Sequence, residues 1–263
     1  MQPSDPGVLE LLTRGRIEIE GRLVDASNAT LFCAIDGGGD SAQCVYKPVS
    51  GERALWDFPD GTLAGREVAS YLVSRAAGLS VIPPTVLRNG PFGPGMVQLW
   101  VDTKEGGDLV DVLAPDDVPV GWRAVLQAHD RFGDPALLVH ADHPSVRLMA
   151  ALDVVLNNAD RKGGHVLHGT DGNVYGVDHG ICLHTEHKLR TVLWGWLGEP
   201  LPDDVVDMLK KLRAGVEDIA DTLADHITTA EVRALRTRLD AFLKAGEFPA
   251  PGEDWRAIPW PAF

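Results

Sequence analysis

Leu156-Asn157-Asn158-Ala159-Asp160-Arg161-Lys162-Gly163-Gly164-His165-Val166-Leu167, with Gly176-Val177-Asp178-His179-Gly180 close behind it, is the most informative part of this 263-residue chain. Residues 144–157 carry Val146, Met149, Ala150, Leu152, Val154 and Leu156 at helical spacing, so the first aspartate stands just past a helix end. Residues 166–168 and 174–177 read as two short strands around the turn Thr170-Asp171-Gly172-Asn173. A tight hairpin brings its two ends together, so Asp160 and Asp178 can converge on one cleft. Phosphoryl transfer asks for that pairing: one carboxylate to orient the attacking group, and a second to hold Mg²⁺ on the phosphates. Taken singly, Asp160 reads equally well as a turn residue and Asp178 as a helix or turn cap.

Upstream of this stretch, residues 8–14 read as a short helix. Residues 16–25, 30–35 and 43–47 read as strands, the last two joined by the turn Asp36-Gly37-Gly38-Gly39-Asp40. Residues 62–77 form a helix pattern with Val68, Ala69, Leu72, Val73 and Ala76 on one face and Gly78 at its end. Residues 81–87 and 96–101 are two more strands. Residues 102–119 are acidic, hold Gly106-Gly107 and two prolines, and read as a linker. Downstream, residues 203–213 and 216–227 read as helices. Thr228-Thr229-Ala230-Glu231 is a capping box opening a last helix to about Ala245. The tail holds Pro249, Pro251, Pro259 and Pro261 and is not helical; its Trp255 and Trp260 suggest that it packs down.

With 44% hydrophobic residues, the chain is long enough for one large domain or two packed lobes. Its formal net charge of −14 argues against nucleic acid and anionic bilayers as partners. No apolar run is long enough to span a membrane, and no basic segment followed by an apolar run opens the chain, so neither integral membrane association nor a signal peptide is expected. Cys33, Cys44 and Cys182 show no CxxC spacing and suit reduced thiols in a cytoplasm. His140/His143, His165/His168 and His184/His187 are each spaced HxxH. No cysteine pair accompanies them, and such spacings arise easily among histidines this frequent.

Asn158-Ala159-Asp160-Arg161-Lys162-Gly163-Gly164-His165 resembles the catalytic loop of type II phosphoinositide 4-kinases and HipA-type kinases, which read Asn-Thr-Asp-Arg followed by a metal-binding Asn. Val177-Asp178-His179-Gly180 resembles the Ile-Asp-Asn-Gly metal motif of the same lipid kinases. Val45-Tyr46-Lys47-Pro48 is similar to their Val-Phe-Lys-Pro strand, Gln98-Leu99-Trp100-Val101 to their Gln-Leu-Phe-Val hinge, and 191–197 to their aromatic Trp-Ala-Trp-Leu segment. Five matches in order cover most of the chain.

The resemblance implies an α+β, bilobal kinase-like fold of the PI3/PI4-kinase type. Residues 1–101 would form an antiparallel-sheet N-lobe with the hinge, and residues 102–263 a mainly helical C-lobe with the catalytic and metal loops. It implies a phosphotransferase (kinase) with ATP and Mg²⁺ or Mn²⁺ as cofactors. Asp160 would be the catalytic carboxylate and Asp178 a metal ligand. Lys47 would hold the α-phosphate, and Gln98, Trp100 and Val101 would receive adenine through backbone groups. Lys47 sits between apolar neighbours on its strand, where a buried cation needs an anion. Glu67 is the candidate partner, and it reads nearly as well as a surface carboxylate beside Arg66. The loop 25–30 would cover the phosphates through Ser27 and Asn28, since it lacks the glycines of a kinase Gly-rich loop. His165 stands where the family has Asn. Imidazole is softer than the oxygens Mg²⁺ prefers, so His165 either binds the metal weakly, favours Mn²⁺ or leaves it alone. The acceptor could be a protein hydroxyl, a soluble small molecule or an inositol lipid. His165 and the missing glycines suit a second function, a nucleotide-binding pseudokinase acting as a regulatory module.

Overall fold

A computed structural model describes residues 1–23, 28–130, 132–252 and 256–263. The chain is a mixed α/β protein, and among the described residues the strands pair antiparallel within three sheets. Helix α1 (Val8–Arg14) is followed by β1 (Arg16–Arg22), β2 (Leu31–Gly37), β3 (Asp40–Pro48), helix α2 (Leu63–Ala76), β4 (Thr85–Gly90) and β5 (Gly93–Leu99). The strands form one sheet in the order β1-β2-β3-β5-β4. The β2–β3 hairpin closes through Gly38 and Gly39, at φ 65° and 93°, a backbone that a side chain would strain.

Alternation along these strands gives the sheet two different faces. Leu31, Cys33, Ile35, Cys44, Tyr46, Val97 and Leu99 pack on Val8, Leu11 and Leu12 of α1. The opposite face carries Val45, Lys47, Met96 and Gln98, with Met96 packed on Ala64 and Val68 of α2. Thr62 caps α2 by accepting from Gly65 N at 2.9 Å. The three cysteines are buried and free.

The stretch expected to be a linker contains a strand. Strands β6 (Val110–Leu113), β7 (Trp122–His129) and β8 (Pro135–Ala141) form a sheet in the order β6-β8-β7. Asp108, Asp116 and Asp117 are exposed and lie outside β6, and within the strand the half-buried Asp111 alternates with the buried Val110. The second part of the chain is thus less helical than expected. Helix α3 (Pro144–Leu156) ends where Asn157 turns left-handed at φ 54°, and β9 (Val166–His168) pairs with β10 (Val174–Gly176). Then come α4 (Asp203–Gly215), α5 (Ala220–Ala224) and α6 (Thr229–Ala245). The helix expected over 216–227 shrinks to α5, because Ala220 N bonds to Glu217 O three residues back and breaks the four-residue ladder. The Thr228/Glu231 capping box is present, and Gly246 ends α6 left-handed.

The main core runs through α3, α4 and α6 and takes in Ala69, Tyr71 and Val73 of α2. Arg66 ties α2 to the same body: it is 1% exposed, pairs with Glu231 at 2.6 Å and donates to Cys182 O at 2.9 Å. Helix α2 therefore touches both the first sheet and the later helices, which places Glu67 between them. The tail packs down through Ile258 and Ala262, whereas Trp260 is 82% exposed and Trp255 lies outside the described residues. Among the described residues, no helix is long and apolar enough to cross a membrane.

Candidate functional site

Three distant segments meet at Lys47. Its Nζ lies 2.7 Å from Glu67 Oε1 on α2 and also contacts Asp178 Oδ1, beyond β10. Glu67 is buried, and its Oε2 accepts from His179 N at 2.9 Å, so the surface alternative for this residue is set aside. Asp178 adopts φ 59°, a strained left-handed backbone for a non-glycine residue. Its second oxygen lies 3.3 Å from His165 Nε2. His165 Nδ1 lies 3.5 Å from Lys162 N, so Nε2 is the ring nitrogen turned toward Asp178.

The loop that carries Asp160 is fastened from below. Arg161 is fully buried and bonds Asp153 on α3 through Nε and NH2, each at 2.9 Å to one carboxylate oxygen. It also donates to Val177 O at 3.0 Å and meets His179 Nε2 at 2.6 Å. Asn158 Nδ2 donates to Asp153 Oδ1 at 2.9 Å, and Asn158 Oδ1 accepts from Asp160 N at 3.0 Å. One buried carboxylate, Asp153, thus holds both residues flanking the loop turn, and the loop is joined through Arg161 to the Asp178 segment.

A cavity of about 160 Å³ opens among these groups, lined by Asn28, Lys47, Glu52, Glu67, Asp160, Lys162, His165 and Asp178. Burial pushes the Asp160 carboxyl up to about 6, with Lys162 and Arg190 pulling against it. Burial works the same way on Asp178, but Lys47 and His165 more than offset it and hold that carboxyl below the usual range. Burial would lower Lys47, and Asp178 and Glu67 more than offset it, so its pKa lies above the ordinary lysine value. Burial, only partly offset by Asp178, takes His165 down to about 4, so its ring is neutral at pH 7. The cavity therefore presents the charged Lys47, two aspartates with well-separated pKa values and the neutral imidazole of His165, beside Glu52, Glu67 and Lys162.

The remaining expected site residues lie elsewhere or are engaged differently. Gln98, Trp100 and Val101 are not among the residues lining the cavity. Gln98 is buried with Nε2 donating to Thr85 Oγ1 at 2.9 Å, and Trp100 N donates to Gln43 O at 3.0 Å. Trp100 sets its ring edge-on to Phe32 at 4.8 Å. Asn28 does line the cavity, but its Oδ1 accepts from Arg53 N at 2.8 Å, which ties Asn28 to the segment after β3. Ser27 lies outside the described residues. Two participants escaped the sequence reading. Glu52 faces the cavity and caps α2, accepting from Leu63 N at 3.0 Å and Ala64 N at 2.8 Å. His179 bridges Glu67 and Arg161. Neither carries a local signal, since each acts on partners far away in the chain. His140 and His143 serve the fold: His140 accepts from Gly195 N at 3.0 Å and His143 caps α3.

No family model matches the chain. Over an alignment of 267 positions it is 50% identical to Protein Rv2133c of Mycobacterium tuberculosis (strain ATCC 25618 / H37Rv), covering 96% of this chain and 94% of that protein. The chain belongs to the family of Protein Rv2133c. Phosphatidylinositol 4-kinase gamma 4 of Oryza sativa subsp. japonica is 27% identical to this Rv2133c-family chain over an alignment of 195 positions that covers 60% of this chain and 30% of the rice protein. Among solved structures, the crystal structure of the golgi casein kinase matches 92% of the Rv2133c-family chain and 74% of its own, at a TM-score of 0.49 and 13% identity.

Proposed function

We propose that the chain is an ATP-dependent phosphotransferase with a bilobal, PI3/PI4-kinase-like architecture, residues 1–101 forming one lobe and residues 102–263 the other. The observation that carries this reading is the convergence of the Lys47–Glu67 pair, Asp160 and Asp178 on one cavity. The partial likeness to a rice phosphatidylinositol 4-kinase supports it. Lys47 would bind phosphate oxygens of ATP, held in place by Glu67. Asp178 and His165 would hold Mg²⁺ or Mn²⁺. Asp178 offers the cation an oxygen, and the imidazole beside it would add a nitrogen that suits Mn²⁺ better than Mg²⁺, the other ligands coming from phosphates and water. When bound, that cation supplies charge neutralisation on the phosphates.

Asp160 would accept a hydrogen bond, and then the proton, from an acceptor hydroxyl. With its pKa near 6 it is ionised at neutral pH yet more basic than an ordinary aspartate. The acceptor oxygen bonds to the γ-phosphorus as the bond to the β–γ bridging oxygen breaks, and ADP leaves. The acceptor is a hydroxyl of a protein, a soluble small molecule or an inositol lipid. A specific observation favours a second reading: His165 stands where an oxygen ligand is expected, and Lys47 is engaged by Asp178. That arrangement suits a nucleotide-binding pseudokinase.

Calorimetry with ATP and Mg²⁺, then Mn²⁺, followed by phosphorus NMR for γ-phosphate loss, tests both readings. Binding with turnover that Asp160→Asn abolishes supports the phosphotransferase. Binding without turnover, whatever acceptor is offered, favours the pseudokinase. Absence of binding with either metal removes both.

A further inference from the structure

The turn that carries His165 is covered by the last residues of the chain. Gly163 N donates to Ala262 O at 2.8 Å, and the Phe263 ring lies so close over Gly163 that any Cβ there would collide with it. The same segment is anchored at its other end, where Ala257 O accepts from Thr191 N at 3.1 Å and from Trp194 Nε1 at 2.9 Å. Ile258 and Ala262 rest on the main core between these anchors. None of residues 256–263 lines the cavity, so the segment braces the loop from outside it.

Gly163 opens the short turn Gly163–His165, whose end is fixed by His165 N donating to Lys162 O at 3.2 Å and Val177 N donating to His165 O at 3.1 Å. The position of His165 relative to Asp178, 3.3 Å away, therefore depends on where Gly163 is held. Asp160 itself does not need the brace, because Asn158 and Arg161 secure its side of the loop. We propose that residues 257–263 act as a strap, with Phe263 and Ala262 as positioning residues, that sets His165 against Asp178 for the metal-dependent step. This rests on the phosphotransferase reading of the cavity.

The test compares the full chain with Phe263→Ala, Phe263→Leu and a chain ending at residue 258. Mn²⁺·ATP binding is measured by calorimetry, γ-phosphate loss by phosphorus NMR, and backbone protection by hydrogen exchange. Phe263→Ala and the shortened chain are expected to lower kcat about tenfold or more, the scale of a small misplacement of catalytic groups. They should also raise the Mn²⁺ concentration needed for half-maximal rate and lose amide protection at 161–166. KM for ATP should stay within about twofold, because Lys47 and Glu67 are untouched. Phe263→Leu, which keeps an apolar cover on Gly163, should recover most of the rate. Unchanged kcat and metal dependence in the shortened chain, with the parent active, would overturn the strap and leave the site reading intact. Loss of protection throughout α3 and α6 with no recovery in Phe263→Leu would also overturn it, since the segment would then only hold the fold. Failure of the parent chain to bind Mn²⁺·ATP would sink the site reading, and the strap with it.

Discussion

Replacing Asp160 with asparagine should make the protein more stable at neutral pH while removing its chemistry. The carboxyl is moved from the ordinary 3.8 to about 6 by burial, so the fold resists its ionisation. A shift of roughly two pH units corresponds to about 3 kcal/mol at most, at ~1.4 kcal/mol per unit. The side chain is 29% exposed, and solvent screening brings the expected gain to about 1–2 kcal/mol. A folded pKa above the unfolded one means that the wild type keeps its full stability from this group below about pH 4. It loses that contribution as pH rises through about 6. The variant should therefore match the wild type at pH 4, pull ahead between pH 4 and 6, and hold a constant lead above that. For a chain of this size the lead is about 2–8 °C in Tm at pH 7. Thermal unfolding followed by circular dichroism at several pH values measures it directly. Equal or lower stability of Asp160→Asn at pH 7, or a gap that does not change between pH 4 and 7, would refute the burial account of this carboxyl. In turnover, the same carboxylate should give a rising limb in kcat near pH 6.

Lys47→Met leaves Glu67 buried without its cation, so unfolding free energy should fall by about 2–4 kcal/mol in denaturant titration, and ATP binding should weaken in calorimetry. The loss should be smaller when Glu67→Gln is added, because the stranded charge is then gone. His165→Asn replaces imidazole with an oxygen donor and should raise turnover with Mg²⁺ relative to Mn²⁺, read as the ratio of initial rates. Thr228→Ala removes the capping box of α6 and should lower stability by about 1 kcal/mol, with ATP binding unchanged.

Local chemistry made much of this fold legible in the amino-acid sequence. The capping box of α6, the Gly38-Gly39 hairpin and the β9–β10 hairpin between Asp160 and Asp178 all follow from residues that are neighbours in the chain. The strands 110–141 were not legible, because β7 is largely exposed on both faces and interrupted by a bulge, so its alternation is weak. At the site, the residue types and order of Lys47, Asp160, His165 and Asp178 were visible in the sequence. Tertiary structure decided that Glu67 faces inward, that Gln98 turns to Thr85, that Asn28 is spent on Arg53, and that His179 joins Glu67 to Arg161. It also decided the electrostatics. Two aspartates of the same intrinsic acidity diverge because Asp178 meets Lys47, 131 residues away, while Asp160 is buried with weaker cationic compensation. Sequence fixes which groups a segment can offer, but a pKa and a hydrogen-bond partner depend on burial and on charges brought close by folding.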